Sequence, residues 1–134
     1  MTRHRTDIRI YYEDTDAGGV VYHANYIAYG ERARAEFLRH IGHQSSDLAK
    51  DFGTTFVVKH IEIEYLKPAF LDDLLTVHTS ITSLKNSSFT MHHEIQKAGQ
   101  IIADLHVVLV CVDATAIKPI RIPEVLRIEF EKLI

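Results

Sequence analysis

The sequence predicts an α+β domain in which a curled antiparallel sheet of five strands wraps around one long helix. One long segment carries apolar residues at helical spacing, and five segments alternate apolar and polar residues. The last four of these five follow one another through short connections, which implies antiparallel neighbours. One helix covers one face of five long strands, so the sheet curls around it and leaves an edge open to another subunit. With 134 residues, 46% of them apolar, the chain has enough material for one domain with a real core.

The alternation around Ile8 and Ile10 predicts a first strand over Thr6 to Tyr12. The helix is predicted over Ala24 to Ile41. Tyr26, Gly30, Ala33, Phe37 and Ile41 recur at steps of four, three, four and four, and Gly42 stands where a left-handed cap belongs. His43 to Phe52 reads as a polar connection with a short helical turn. Thr55 to Tyr65 is the second strand, with Ile61, Ile63 and Tyr65 on one face and Glu62 and Glu64 on the other. Pro68 stops it, and Leu71-Asp72-Asp73 turns the chain. Leu75, Val77 and Ile81 mark the third strand; Phe89, Met91, His93 and Ile95 mark the fourth. Asn86-Ser87-Ser88 and Ala98-Gly99 supply the turns on either side of that fourth strand. Ile101 to Val112 is apolar on both faces in its second half, which predicts a central strand. Pro123-Glu124 opens a closing helix docked by Val125, Leu126 and Phe130.

The net charge of -3 and the lack of a basic run give nucleic acid no footprint. A single cysteine, Cys111, excludes an internal disulfide and fits a reducing compartment. The N-terminus has no apolar signal core, and the longest apolar run, Val107 to Val112, is too short to span a bilayer. The expectation is a soluble, cytoplasmic protein with no integral membrane segment.

The stretch from Tyr11 to Arg39 carries the chemistry. Glu13, Asp14 and Asp16 precede Gly18 and Gly19, and the long helix follows. A helix start offers unpaired N–H groups and partial positive charge to a polarised carbonyl. A carboxylate facing such a site is a hydrolytic arrangement in outline.

From Tyr12 to Tyr26 the chain resembles the 4-hydroxybenzoyl-CoA thioesterase family, and more narrowly its acyl-CoA thioesterase branch associated with the Tol-Pal cell-envelope system. The pattern D-x-x-G-x-V-x-x-x-N-Y stands as Asp16, Gly19, Val21, Asn25 and Tyr26. It runs into E-x-A-R at Glu31, Ala33 and Arg34. Tyr65-Leu66-Lys67-Pro68-Ala69, Asp72-Asp73 and Lys85-Asn86-Ser87-Ser88-Phe89 match later stretches of the family. The resemblance implies the hotdog fold, a homodimer or homotetramer, no cofactor, and hydrolysis of an acyl-CoA thioester between two subunits. CoA is then part of the substrate, and acyl carrier protein is the alternative donor. The family's catalytic aspartate falls on Asp16. Its carbonyl-polarising backbone N–H falls on His23, and many members of the branch have histidine there.

Asp16 suits a nucleophile that forms a mixed anhydride or a general base on water; equally, Asp-x-x-Gly is a common turn in which the carboxylate caps its own loop. Neighbouring carboxylates raise one another's pKa, so Glu13, Asp14 and Asp16 are not all expected to face one pocket. Gly18 and Gly19 leave room for a carbonyl to approach the backbone. The His23 N–H is placed to donate to an oxyanion, while its ring either orients water or is satisfied by backbone. Tyr22, Asn25 and Tyr26 are expected to shape the entrance. Lys85, Asn86 and Ser87 form a polar turn suited to CoA phosphates, as do Lys59 and Lys67; exposed lysines are otherwise simply solvated.

Glu36, His40 and His43 have spacing that places them near one helix face, but Gly42 ends the helix between the histidines, so no metal site is expected. His92 and His93 are adjacent on a strand and point to opposite faces. Cys111, inside VVLVCV, reads as core, and no G-x-S-x-G elbow is present. Two rival readings remain. A hotdog dehydratase pairs histidine with a carboxylate on a facing helix, whereas here the carboxylate precedes the helix. A non-enzymatic acyl-carrier or envelope-system binding module has no need of the Asp16 loop.

Overall fold

A computed structural model describes residues 3–134. Five strands, β1 (His4–Arg9), β2 (Thr54–Tyr65), β3 (Leu74–Leu84), β4 (Ser88–Lys97) and β5 (Gln100–Asp113), form one antiparallel sheet in the order β1-β3-β4-β5-β2. The tight turn between β4 and β5 places Ala98 and Gly99 at φ 50° and 80°, the mirror-image conformation that matches strand twist.

The sheet departs from the predicted arrangement at both edges. β1 ends at Arg9 instead of Tyr12, because Tyr12–Asp14 winds into a single 3₁₀ turn closed by the Asp14 carboxylate, which accepts the Tyr11 N–H at 2.8 Å. β2 and β3 are consecutive but not neighbours. The segment from 66 to 73 crosses between them, so β2 pairs with β5 at one edge and β1 pairs with β3 at the other. β5 is an interior strand, as its two-sided apolar pattern requires, although the middle position belongs to β4. Among the described residues β2 has no strand on its outer side, and Val58 there is 46% exposed.

Helix α1 (Asn25–His40) lies against the inner face of the sheet, with Tyr26, Tyr29, Gly30, Ala33, Phe37 and Leu38 buried. Its end is a Schellman motif: Gly42 at φ 96°, its N–H donating to the Arg39 carbonyl and the His43 N–H to the Leu38 carbonyl. At Gly30 the helix approaches the sheet closely. A Cβ there would stand 3.3 Å from Leu105 Cδ2 and 3.4 Å from His93 Cδ2. Two apolar clusters share the interior. One gathers Tyr26, Tyr29, Leu75, Ile95 and Leu105 at the start of α1; the other gathers Phe37, Phe89, Val107, Leu126 and Phe130 at its end. A short helix α2 (Leu48–Phe52) fills the predicted polar connection. The closing helix α3 (Glu124–Glu131) docks through Leu126 and Phe130, whereas Val125 points outward, 55% exposed, because it lies a quarter turn off that face.

One buried polar chain crosses the core. Arg34 Nη1 lies 3.2 Å from His93 Nε2, and Thr79 Oγ1 lies 2.9 Å from His93 Nδ1. Guanidinium only donates, so His93 accepts at Nε2 and carries its proton on Nδ1 toward Thr79. Among the described residues no helix is long and apolar enough to cross a membrane.

Candidate active site

The loop before α1 is tight and internally bonded. Asp16 N–H donates to the Val20 carbonyl and Gly19 N–H to the Asp16 carbonyl, with Gly19 at φ 82°. The Asp16 carboxylate is exposed, and its Oδ1 accepts the Gly18 N–H at 2.8 Å. Asp16 therefore does cap its own turn, with one oxygen. The second oxygen has no partner among the described residues.

Asp14 fastens this loop to the helix. Its carbonyl accepts both the Tyr22 N–H and the Asn25 side-chain amide, each at 2.9 Å. Asn25 is thus a tether between loop and helix. Asp14 is buried, and burial followed by this neighbouring carboxylate pushes the Tyr29 hydroxyl pKa up. Of the three clustered acids, Glu13 and Asp16 face solvent and Asp14 faces inward.

The start of α1 carries no side-chain cap and no acid in its first turn. The His23 N–H donates to no protein acceptor among the described residues. Tyr65 Oη donates to the His23 carbonyl at 2.8 Å, which fixes the orientation of that part of the chain. The His23 ring lies tilted against Tyr22 at 4.4 Å and meets the Tyr65 ring edge-on at 6.4 Å. Tyr26 is 3% exposed and forms a floor more than an entrance; its hydroxyl accepts the Ala69 N–H, and burial raises its pKa. His23, Tyr26, Tyr65, Lys67 and Pro68 border a hollow of 310 Å³. Tyr65 was not among the site residues read from the sequence. Its outward signal there was only strand alternation, and its contact with His23 spans 42 positions.

The turn at Lys85, Asn86 and Ser87 lies elsewhere. It packs against α3, with Asn86 Oδ1 accepting from Arg121 and the Lys85 carbonyl from Arg127. Its neighbour on β5 is Cys111, while the β5 partner of Tyr65 is Ala103. Those two β5 positions are separated by roughly 27 Å of extended strand, so one chain does not bring the turn to the helix start. A broader hollow of 740 Å³ between β1 and α1 includes Glu13 and Asp14 in its lining but neither Asp16 nor His23.

Glu36, His40 and His43 do not converge. Glu36 pairs with Arg39, the His40 ring lies against His4, and the His43 ring against Phe52. Cys111 is fully buried, and burial raises its thiol pKa, the opposite of what a nucleophile needs. Cys111→Ala is expected to keep near-normal turnover with some loss of stability, checked by steady-state assay and urea titration together.

Comparison with known proteins gives a consistent picture. Residues 11–130 match the family model described as the Thioesterase-like superfamily. The chain is 43% identical over 132 residues to the acyl-CoA thioester hydrolase YbgC of Escherichia coli, covering 98% of each chain. It is 38% identical over 126 residues to the acyl-CoA thioesterase YbgC of Haemophilus influenzae, covering 94% of this chain and 93% of the other. The crystal structure of a probable thioesterase from Bartonella henselae superposes with a TM-score of 0.87 at 37% identity, over 91% of this chain and all of that one.

Proposed function

Because the chain belongs to the thioesterase-like superfamily, we propose that it hydrolyses acyl-CoA to free acid and CoA, with Asp16 supplying or activating the attacking oxygen. The observation that carries this reading is one juxtaposition. An exposed carboxylate with a free oxygen sits on a loop bonded to an uncapped helix start. The His23 N–H and the α1 N-terminus polarise the thioester carbonyl and receive its charge as the tetrahedral intermediate forms. As a base, Asp16 takes a proton from water; as a nucleophile, it forms an anhydride that water then opens. Collapse of the intermediate breaks the carbon–sulfur bond and releases the CoA thiolate, which takes up a proton.

The active unit is a homodimer or homotetramer. Each chain leaves the outer edge of β2 open, and the Lys85-Asn86-Ser87 turn serves a CoA bound at Asp16 only from a second copy. Sedimentation at micromolar concentration is expected to give a dimer or larger; a monomer that still turns over acyl-CoA contradicts this. The reaction itself is tested with a panel of acyl-CoAs and acyl carrier proteins under a free-thiol readout. Thiol release supports hydrolysis and ranks the donors. Hydration of an enoyl substrate without release means a dehydratase, and neither outcome means a binding module.

A further inference from the structure

On the outer face of the sheet, remote from α1, three potential metal ligands converge. His92 on β4 and His106 on β5 are direct register partners, and their rings stack at 4.5 Å with 14° between planes. Asp104 lies two residues before His106 and so shares its face. Its Oδ1 is 2.5 Å from His92 Nε2 and its Oδ2 is 3.3 Å from His106 Nε2. The donor atoms of all three lie within 4.8 Å of one another; His92 and Asp104 are half-buried and His106 is more exposed. Among the described residues no other group of this kind occurs.

We propose that His92, Asp104 and His106 bind a divalent first-row transition metal that clamps β4 to β5. The donor set decides the class. Two imidazoles with one carboxylate suit Zn²⁺, Ni²⁺ or Cu²⁺, whereas Mg²⁺ and Ca²⁺ prefer oxygen ligands throughout. Bond lengths of about 2.0–2.2 Å place tetrahedral ligand atoms roughly 3.3–3.5 Å apart. The His92–Asp104 contact opens by about 1 Å to reach that spacing, a movement available to half-exposed side chains. Both Nε2 atoms already face the carboxylate. A cation seated there replaces the two ring protons at Nε2, and each neutral ring moves its proton to Nδ1.

Charge at the site favours the same outcome. Asp104 stands directly opposite Glu64 on β2 and Glu94 on β4, which makes a row of three carboxylates across three strands. Like charges directly opposite destabilise a sheet. Arg3 pairs with Glu94 at 3.2 Å, but Asp104 has only the two histidines. A divalent cation at Asp104 neutralises the middle of the row. The site is open to solvent, so water completes the coordination.

The test is a calorimetric Zn²⁺ titration of the full chain freed of metal by chelator. Wild type is expected to bind about one Zn²⁺ per chain saturably, with a rise in thermal midpoint. The double variant His92→Gln/His106→Gln and the single variant Asp104→Asn are expected to lose both responses while keeping a native circular dichroism spectrum. His40→Gln, on the far side of the molecule, is expected to keep them. Absence of saturable binding in wild type overturns the proposal, as does unchanged affinity in the double variant. Should the double variant fail to fold, Asp104→Asn decides in the same way. None of these readouts depends on thioester hydrolysis.

Discussion

Asp16→Asn is expected to leave acyl-CoA binding in place and to lower turnover by about a hundred- to ten-thousandfold if the carboxylate is a general base, and by more if it is the nucleophile. The structure makes this substitution a clean one. Asparagine keeps a side-chain oxygen for the Gly18 N–H that Asp16 Oδ1 now accepts at 2.8 Å, so the loop keeps its shape. The helix start is backbone and survives the change. What is lost is the negative charge on the free oxygen. Glu13→Gln is the matched control, since Glu13 is exposed and lines the hollow between β1 and α1 that holds neither Asp16 nor His23, and it is expected to cost far less. Single turnover in heavy-oxygen water separates the two mechanisms, because label in the Asp16 carboxylate marks an anhydride. Retention of more than about a tenth of wild-type turnover, far above the loss expected of a base, sinks the assignment and moves attention to Glu13 and the His23 ring.

Acid is expected to destabilise this protein through His93. Burial comes first, then the Arg34 guanidinium, then His92 and His106; together they push the His93 pKa from its ordinary 6.5 down to about 3. The unfolded chain takes up a proton at this residue below 6.5, and the folded one refuses it until about 3. Binding of a proton by the unfolded state alone lowers stability, so this contribution is complete above 6.5 and is lost progressively as pH falls toward 3. Protonation in place would put two cations 3.2 Å apart. His4 and His78 are also pushed down, by burial first, and add in the same direction. Urea midpoints at about pH 7.5 and about pH 5 check this. Wild type is expected to lose stability over that interval, and His93→Gln, less stable at neutral pH, to lose visibly less. Equal pH slopes for the two proteins rule the account out.

How much of this was legible in the sequence depends on the range of the interaction concerned. The helix was legible because Tyr26, Gly30, Ala33 and Phe37 repeat within the helix itself, and Gly42 signals its end locally. β4 was legible from Phe89, Met91, His93 and Ile95, all buried as their alternation requires. Strand partnership was not, since nothing in β2 says that it prefers β5 over β3. Tyr65 was missed for the same reason: its value lies in reaching the His23 carbonyl across the fold. The sequence showed that His92 faces away from His93. Only the β4–β5 register shows that it meets His106, and a slip of one residue would put the two rings on opposite faces.

Gly30 couples two things usually treated apart. α1 is a stiff rod about 24 Å long; its start borders the proposed site, and at Gly30 it rests on Leu105 and His93 without even a methyl group between. A Cβ at Gly30 acts as a shim under the rod about 8 Å from its working end. The core can yield by a few tenths of an ångström, but the helix start then lifts or tilts by a comparable amount. An amide in the polarising role proposed for His23 tolerates such displacement poorly. The thickness of packing under one residue therefore sets the aim of another that never touches it, and substitutions there would show up in rate before they show up in stability.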